Sequence, residues 1–113
     1  MKDRIAKVNE LIKRELGQII LREVEMPEKA VVTLTRVTAS GNLQQAKVYI
    51  SVVPDEKARE VLNILGQNIF AIQQILNRKL KMRPVPKVLW VLERATAEAQ
   101  RIEELLDQIK EKG

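Results

Sequence analysis

The sequence predicts an α+β fold in which a three-stranded sheet is covered by helices on one face, and three observations carry that expectation. Two long stretches and one short one space their apolar residues three and four apart, the period of an amphipathic helix. Residues 45–53 instead alternate apolar with polar, the period of a half-buried strand. The other apolar segments are short, rich in β-branched side chains and bounded by proline or turn residues, as strands are. At 113 residues, with no repeat, linker or low-complexity stretch, a single domain spanning 1–113 is expected.

In residues 4–23, Ile5, Val8, Leu11, Ile12, Leu16, Ile19 and Ile20 draw one apolar stripe, so the first element is a helix of about five turns. Pro27 closes it. Residues 30–39 (AVVTLTRVTA) suit a strand, but their pattern leaves open which side chains face inward. Ser40-Gly41-Asn42 is turn chemistry. In the strand that follows, Ala46, Val48, Ile50 and Val52 form the face expected to be buried, opposite Lys47, Tyr49 and Ser51. The two strands are expected to pair as an antiparallel hairpin.

Pro54 ends the second strand and Asp55 can cap a helix. Its stripe is Val61, Leu62, Leu65, Ile69, Ile72, Ile75, Leu76 and Leu80, which takes the helix to about residue 81. Pro84 and Pro86 exclude helix there, and residues 87–92 (KVLWVL) read as a strand with apolar side chains on both faces, hence at a well-covered sheet position. Ala99, Ile102, Leu105, Leu106 and Ile109 mark a last helix from about Thr96. The order is helix, strand, strand, long helix, strand, helix. A strand-helix-strand crossover joined to a hairpin gives the three-stranded sheet.

Composition narrows function by exclusion. The chain has neither cysteine nor histidine, which removes disulfides, zinc sites built from those residues, the commonest general base and the best side-chain nucleophile. Ser40 and Ser51 are the two serines, and neither lies in a G-x-S-x-G elbow. A non-enzymatic protein with no cofactor and no metal is expected. The longest apolar runs fall far short of the ~20 residues a membrane helix needs, and the charged N-terminal pattern lacks a signal peptide's apolar block. Cytoplasmic residence is the expectation.

The net charge of +5 is unevenly distributed. Residues 1–28 balance six bases against six acids, whereas 29–54 hold three bases (Lys29, Arg36, Lys47) and no acid. Residues 61–92 hold five bases (Arg78, Lys79, Lys81, Arg83, Lys87) and again no acid. A charge run is often only a solvated face or a complement to a helix end. Thirty-two consecutive residues without an acid favour a polyanionic partner.

Without its final helix, this element order is that of a type II KH domain, which grips single-stranded nucleic acid on a GxxG loop between two helices. No GxxG occurs here. Ser40, Leu43, Ala46, Val48, Tyr49 and Ser51 match S-x-D-L-x-x-A-x-V-Y-V-S, and Leu80-Lys81-Met82-Arg83-Pro84-Val85-Pro86 and Arg101-Ile102 follow in order. In these segments the chain resembles the ribosome-binding factor A family, a KH-like family with a helix-kink-helix in place of the loop. There are three departures from its pattern. Asn42 replaces the usual aspartate; the small residue and glycine of the kink fall on Asn68 and Phe70, with the usual arginine on Gln73; Glu93 and Ala95 replace aspartate and serine, leaving Thr96 as a cap. An interruption is expected within residues 66–70, at Gly66 or nearer Phe70.

The resemblance implies a monomeric factor that binds the small ribosomal subunit and its rRNA, near the decoding region and the RNA's 5' end, during late maturation and above all in the cold. Arg78, Lys79, Lys81, Arg83 and Lys87 are the expected RNA contacts, extended by Arg36 and Lys47. Tyr49 can stack on a base, though packing under a helix is favoured; Trp90 and Phe70 are assigned to the core. Two other readings compete: a general KH-type single-stranded nucleic-acid module, which the missing GxxG disfavours, and a protein-protein adaptor docking through its terminal helices.

Overall fold

The computed structural model describes residues 2–93. Helix α1 (Lys2–Glu23) leads into strand β1 (Val31–Ala39) and strand β2 (Gln45–Val53). A single 3-10 turn (Asp55–Lys57) opens helix α2 (Ala58–Gln67), followed by helix α3 (Ile69–Lys79) and strand β3 (Lys87–Leu92). The helix expected from about Thr96 lies outside the described residues. The rest of the expected order is present.

The sheet runs β1-β2-β3, with β1 and β2 antiparallel and β2 and β3 parallel. Ala46, Val48, Ile50 and Val52 are all buried, as their alternation requires. They share one core with Ile12, Leu16, Ile19 and Ile20 of α1, Val61 and Leu65 of α2, and Ile72 and Leu76 of α3. The three helices therefore cover one sheet face, and among the described residues no polar side chain is buried as a whole. Trp90 is half-buried and packs against the core, as assigned, with its indole Nε1 buried and without a hydrogen-bond partner among the described residues.

The register of β1, open in the sequence, is decided by a bulge. Leu34 pairs with Ile50 and Arg36 with Tyr49, so Thr35 is the extra residue. Val32 and Leu34 face the core before it, Val37 and Ala39 after it. A period-two pattern with one residue inserted has no single phase, which is why alternation alone could not assign it. The β1-β2 turn closes as its residues suggest: the Gln44 amide donates to Asn42 Oδ1 (3.1 Å) and the Ser40 hydroxyl to the same oxygen (2.6 Å). An amide thus performs the acceptor role of the family's aspartate. Asn9 Oδ1 accepts from the Ala39 amide at 2.7 Å and ties α1 to the strand end.

The long helical stretch breaks at Asn68, which has φ −98° and ψ 3°. Its side-chain amide donates to the Ile64 carbonyl at 2.7 Å, and its own carbonyl accepts from the Ile72 amide at 2.9 Å. One residue therefore satisfies the end of α2 and starts α3. Gly66 stays inside α2, where a Cβ would meet nothing within 4 Å, so the break does not depend on it.

One expectation needs correction. β3 was expected at a well-covered position, but it is an edge strand, and only Val88, Trp90 and Leu92 pack against the core. Leu89 on the opposite face is 39% exposed.

Candidate nucleic-acid interface

Strand alternation that buries one face of the sheet presents the other. Arg36, Lys47 and Lys87 are all exposed there. Arg36 pairs with Tyr49, two residues beyond Lys47, and Lys47 pairs with Leu89, two residues beyond Lys87. The three cations therefore form a diagonal row across β1, β2 and β3, with neighbours roughly 7–8 Å apart at the backbone. Lys47 and Lys87 make no ion pair among the described residues.

Arg36 is engaged at the far end of this row. Its guanidinium lies 4.0 Å from the centroid of the Tyr49 ring, a cation–π contact, and its Nε is 3.5 Å from Glu93 Oε1. The Thr35 hydroxyl lies within hydrogen-bond reach of both the other Glu93 oxygen and the Tyr49 carbonyl and has one proton to share between them. The bulge thus aims Thr35 and Arg36 at Glu93, which the Glu93 amide anchors through the Ile50 carbonyl at 2.7 Å. Among the described residues no helix covers Tyr49, against the favoured expectation: it stands on the sheet face opposite α1, α2 and α3, beneath Arg36. Its ring is half-buried and already occupied by that cation.

Arg78, Lys79, Lys81 and Arg83 gather around the C-terminal end of α3 and the loop after it, all exposed. Arg83 is partly committed to that loop, since its Nη1 donates to the Leu80 and Met82 carbonyls at 3.0 and 2.7 Å. Lys87 begins β3 at the far side of the same loop, on the sheet face opposite the three described helices. The structure therefore divides the seven expected residues into two groups: Arg78, Lys79, Lys81 and Arg83 at the end of α3, where Lys79 borders a cleft with Glu15 and Glu23 of α1, and Arg36, Lys47 and Lys87 as a row on the sheet.

The loop is held by a residue whose role was not foreseen. Gln73, at the position of the family's arginine, donates from Nε2 to the Pro86 carbonyl (3.1 Å) and accepts at Oε1 from the Val88 amide (2.9 Å). It staples α3 to the start of β3. Phe70 is a second surprise: it is 73% exposed at the start of α3, not in the core. The signal was present, because Phe70 falls roughly opposite the stripe of Val61, Leu65, Ile72 and Leu76 in helical phase. Counting it as apolar hid its position.

Among the described residues no group of three or more Asp and Glu side chains is placed to hold a metal, and no helix is long and apolar enough to cross a membrane. Two open grooves run along α1, one of them lined by Lys13, Gly17 and Leu21 together with Leu34 of β1. They hold no convergent set of catalytic groups.

A three-stranded sheet with helices on one face, a broken helix at the crossover and cations at its end define a KH-like protein whose candidate site is an exposed basic surface. The family model for ribosome-binding factor A matches residues 4–106. Ribosome-binding factor A of Bdellovibrio bacteriovorus is 34% identical over 108 residues, 95% of this chain and 81% of the relative. The chain belongs to the ribosome-binding factor A family. The fold agrees: the crystal structure of ribosome-binding factor A from Thermus thermophilus superposes with a TM-score of 0.66 at 22% identity, covering 81% of this chain and 98% of that one. Coordinates of the Thermus thermophilus factor fitted into a cryo-EM map of a 30S complex give 0.65 at 24% identity, covering 77% and 92%.

Proposed function

We propose that this chain is a non-enzymatic, monomeric, cytoplasmic assembly factor, folded as one domain over 1–113, that binds the small ribosomal subunit through its rRNA. It acts late in maturation, during 5'-end processing and folding of the decoding region, and matters most in the cold. The observation that carries the reading is the acid-free stretch of residues 61–92, whose cations cluster at the end of α3 in a member of this family. Such a surface neutralises phosphates and provides affinity more than sequence choice. A protein of this kind works by favouring the rRNA conformation it binds better, by no more than its differential affinity.

The test is co-sedimentation of the full chain with free small subunits over a range of salt. The triple variant Arg78→Gln, Lys79→Gln, Lys81→Gln should bind more weakly and with a shallower salt dependence. Each lost phosphate contact should lower the slope by about 0.7–0.9. Arg83 is left intact because its bonds to loop carbonyls would confound the result. Thermal unfolding should be unchanged within ~0.5 kcal/mol. Equal affinity and slope in parent and variant would move the RNA surface elsewhere; binding to short oligonucleotides alone would favour a general nucleic-acid module, and RNase-insensitive protein complexes an adaptor.

A further inference from the structure

The outward face of α2 and α3 differs from an ordinary solvated helix face. Asn63, Gln67, Phe70, Gln74 and Asn77 are spaced four, three, four and three apart, so they form one stripe opposite the core, and all five are exposed. Four are amides and one is an aromatic ring; from Asn63 onward none is charged, and Glu60, three residues earlier on the same phase, is paired with Lys57. Gln74, Asn77 and Arg78 line one shallow depression at the C-terminal end of this stripe, where the cations begin. At 73% exposure Phe70 is the one aromatic side chain standing open among the described residues, Tyr49 and Trp90 being half-buried.

We infer that Phe70 is a base-stacking residue: an unpaired RNA base lies on its ring, the flanking amides of Gln67 and Gln74 meet base edges, and the strand continues toward Arg78 and Lys81. The chemistry of the stripe selects this occupant. Amides carry both donors and acceptors and match nucleobase edges, an aromatic ring stacks on the π-face of any base, and residues 61–92 themselves carry no acid, the exposed Glu60 one turn before Asn63 being paired with Lys57 at 3.8 Å. The inference rests on the RNA-binding function proposed above and adds a contact that is neither ionic nor shared with the basic patch.

The experiment uses the full chain with two probes, free small subunits and an unstructured single-stranded RNA oligonucleotide. At so exposed a position Phe70→Ala and Phe70→Leu should leave thermal unfolding unchanged. Phe70→Ala should weaken RNA binding by about five- to one-hundred-fold, the range expected for loss of one stacked base. The salt slope should stay that of the parent, because a ring releases no counterions. Phe70→Leu, which keeps apolar bulk without a π-face, should be nearly as weak, and a tryptophan introduced by Phe70→Trp should lose fluorescence when RNA is added. A parent-like Phe70→Ala overturns the inference. So does a Phe70→Leu variant that binds like the parent, which would mark a simple apolar contact with protein. Failure of the parent to bind subunits, with Phe70-dependent oligonucleotide binding intact, would sink the ribosomal reading and leave base stacking standing; failure to bind either probe would sink both.

Discussion

Helix α1 and the α2-α3 pair do the same work on their inner faces and different work on their outer ones. Both bury a stripe of aliphatic side chains against the same sheet face: Ile12, Leu16 and Ile19 on one side, Val61, Leu65, Ile72 and Leu76 on the other. Outward, α1 mixes both signs, with Asp3, Arg4, Lys7, Glu10, Arg14, Arg22 and Glu23 exposed. From residue 61 onward, α2 and α3 expose amides, a ring and cations, and no acid. A mixed face keeps a helix soluble without attracting a polyanion. The inner stripes hold the fold, and the outer faces divide the molecule into a side of mixed charge and an acid-free side, the one proposed above to bind rRNA.

The largest effect should come from breaking the part the two helical units share. Leu16→Ala in α1 and Leu76→Ala in α3 each remove a fully buried side chain, and each should cost about 2–5 kcal/mol in urea unfolding. If only one of the two proved costly, the inner faces would not be equivalent and the comparison would lose its base.

A smaller effect separates the outer faces. Gln74→Glu and Gln18→Glu are nearly isosteric changes that each add one negative charge at an exposed position. On the proposed binding side, Gln74→Glu should weaken subunit binding by about 1 kcal/mol at low salt, the scale of one like-charge contact with phosphate in water. Gln18→Glu should leave binding unchanged, and both should melt like the parent. Equal losses would mean that net charge, not the face, governs binding.

The smallest effect tests how the second unit bends. Gly17 and Gly66 both sit inside helices with open space where a Cβ would stand. Gly17→Ala and Gly66→Ala should each raise stability by about 0.5–1 kcal/mol. Because Asn68 makes the break, the Gly66 variant should bind RNA like the parent; a loss of binding would give the glycine a part in the bend.

Patterns that repeat were legible in the sequence. The inward residues of β2 and the stripes of the helices follow from periods of 2 and 3.6, which survive into the structure because burial enforces them. The basic residues were legible as a set, since an acid-free stretch is visible without coordinates. What escaped depended on single residues out of pattern. Thr35 shifts the phase of β1; Phe70 was counted with the core by type although its phase places it outside. Gln73, a polar residue on a helix, gives no hint that it reaches the Pro86 carbonyl and the Val88 amide thirteen and fifteen residues away. Asn68 could be placed within the expected break but not singled out, because its effect comes from a bond between its own side chain and the Ile64 carbonyl.

The bulge at Thr35 has one more effect, on what the molecule refuses to do. β1 lies at the edge of the described sheet and is nine residues long, with Val31 open to solvent at one end. An uninterrupted edge of that length is a template on which another copy could add its own strand, and then another. The extra residue divides the edge into two short runs that cannot both stay in step with one straight incoming strand. The irregularity that lets Val32, Leu34, Val37 and Ala39 all reach the core therefore also makes the β1 edge a poor template for a straight added strand.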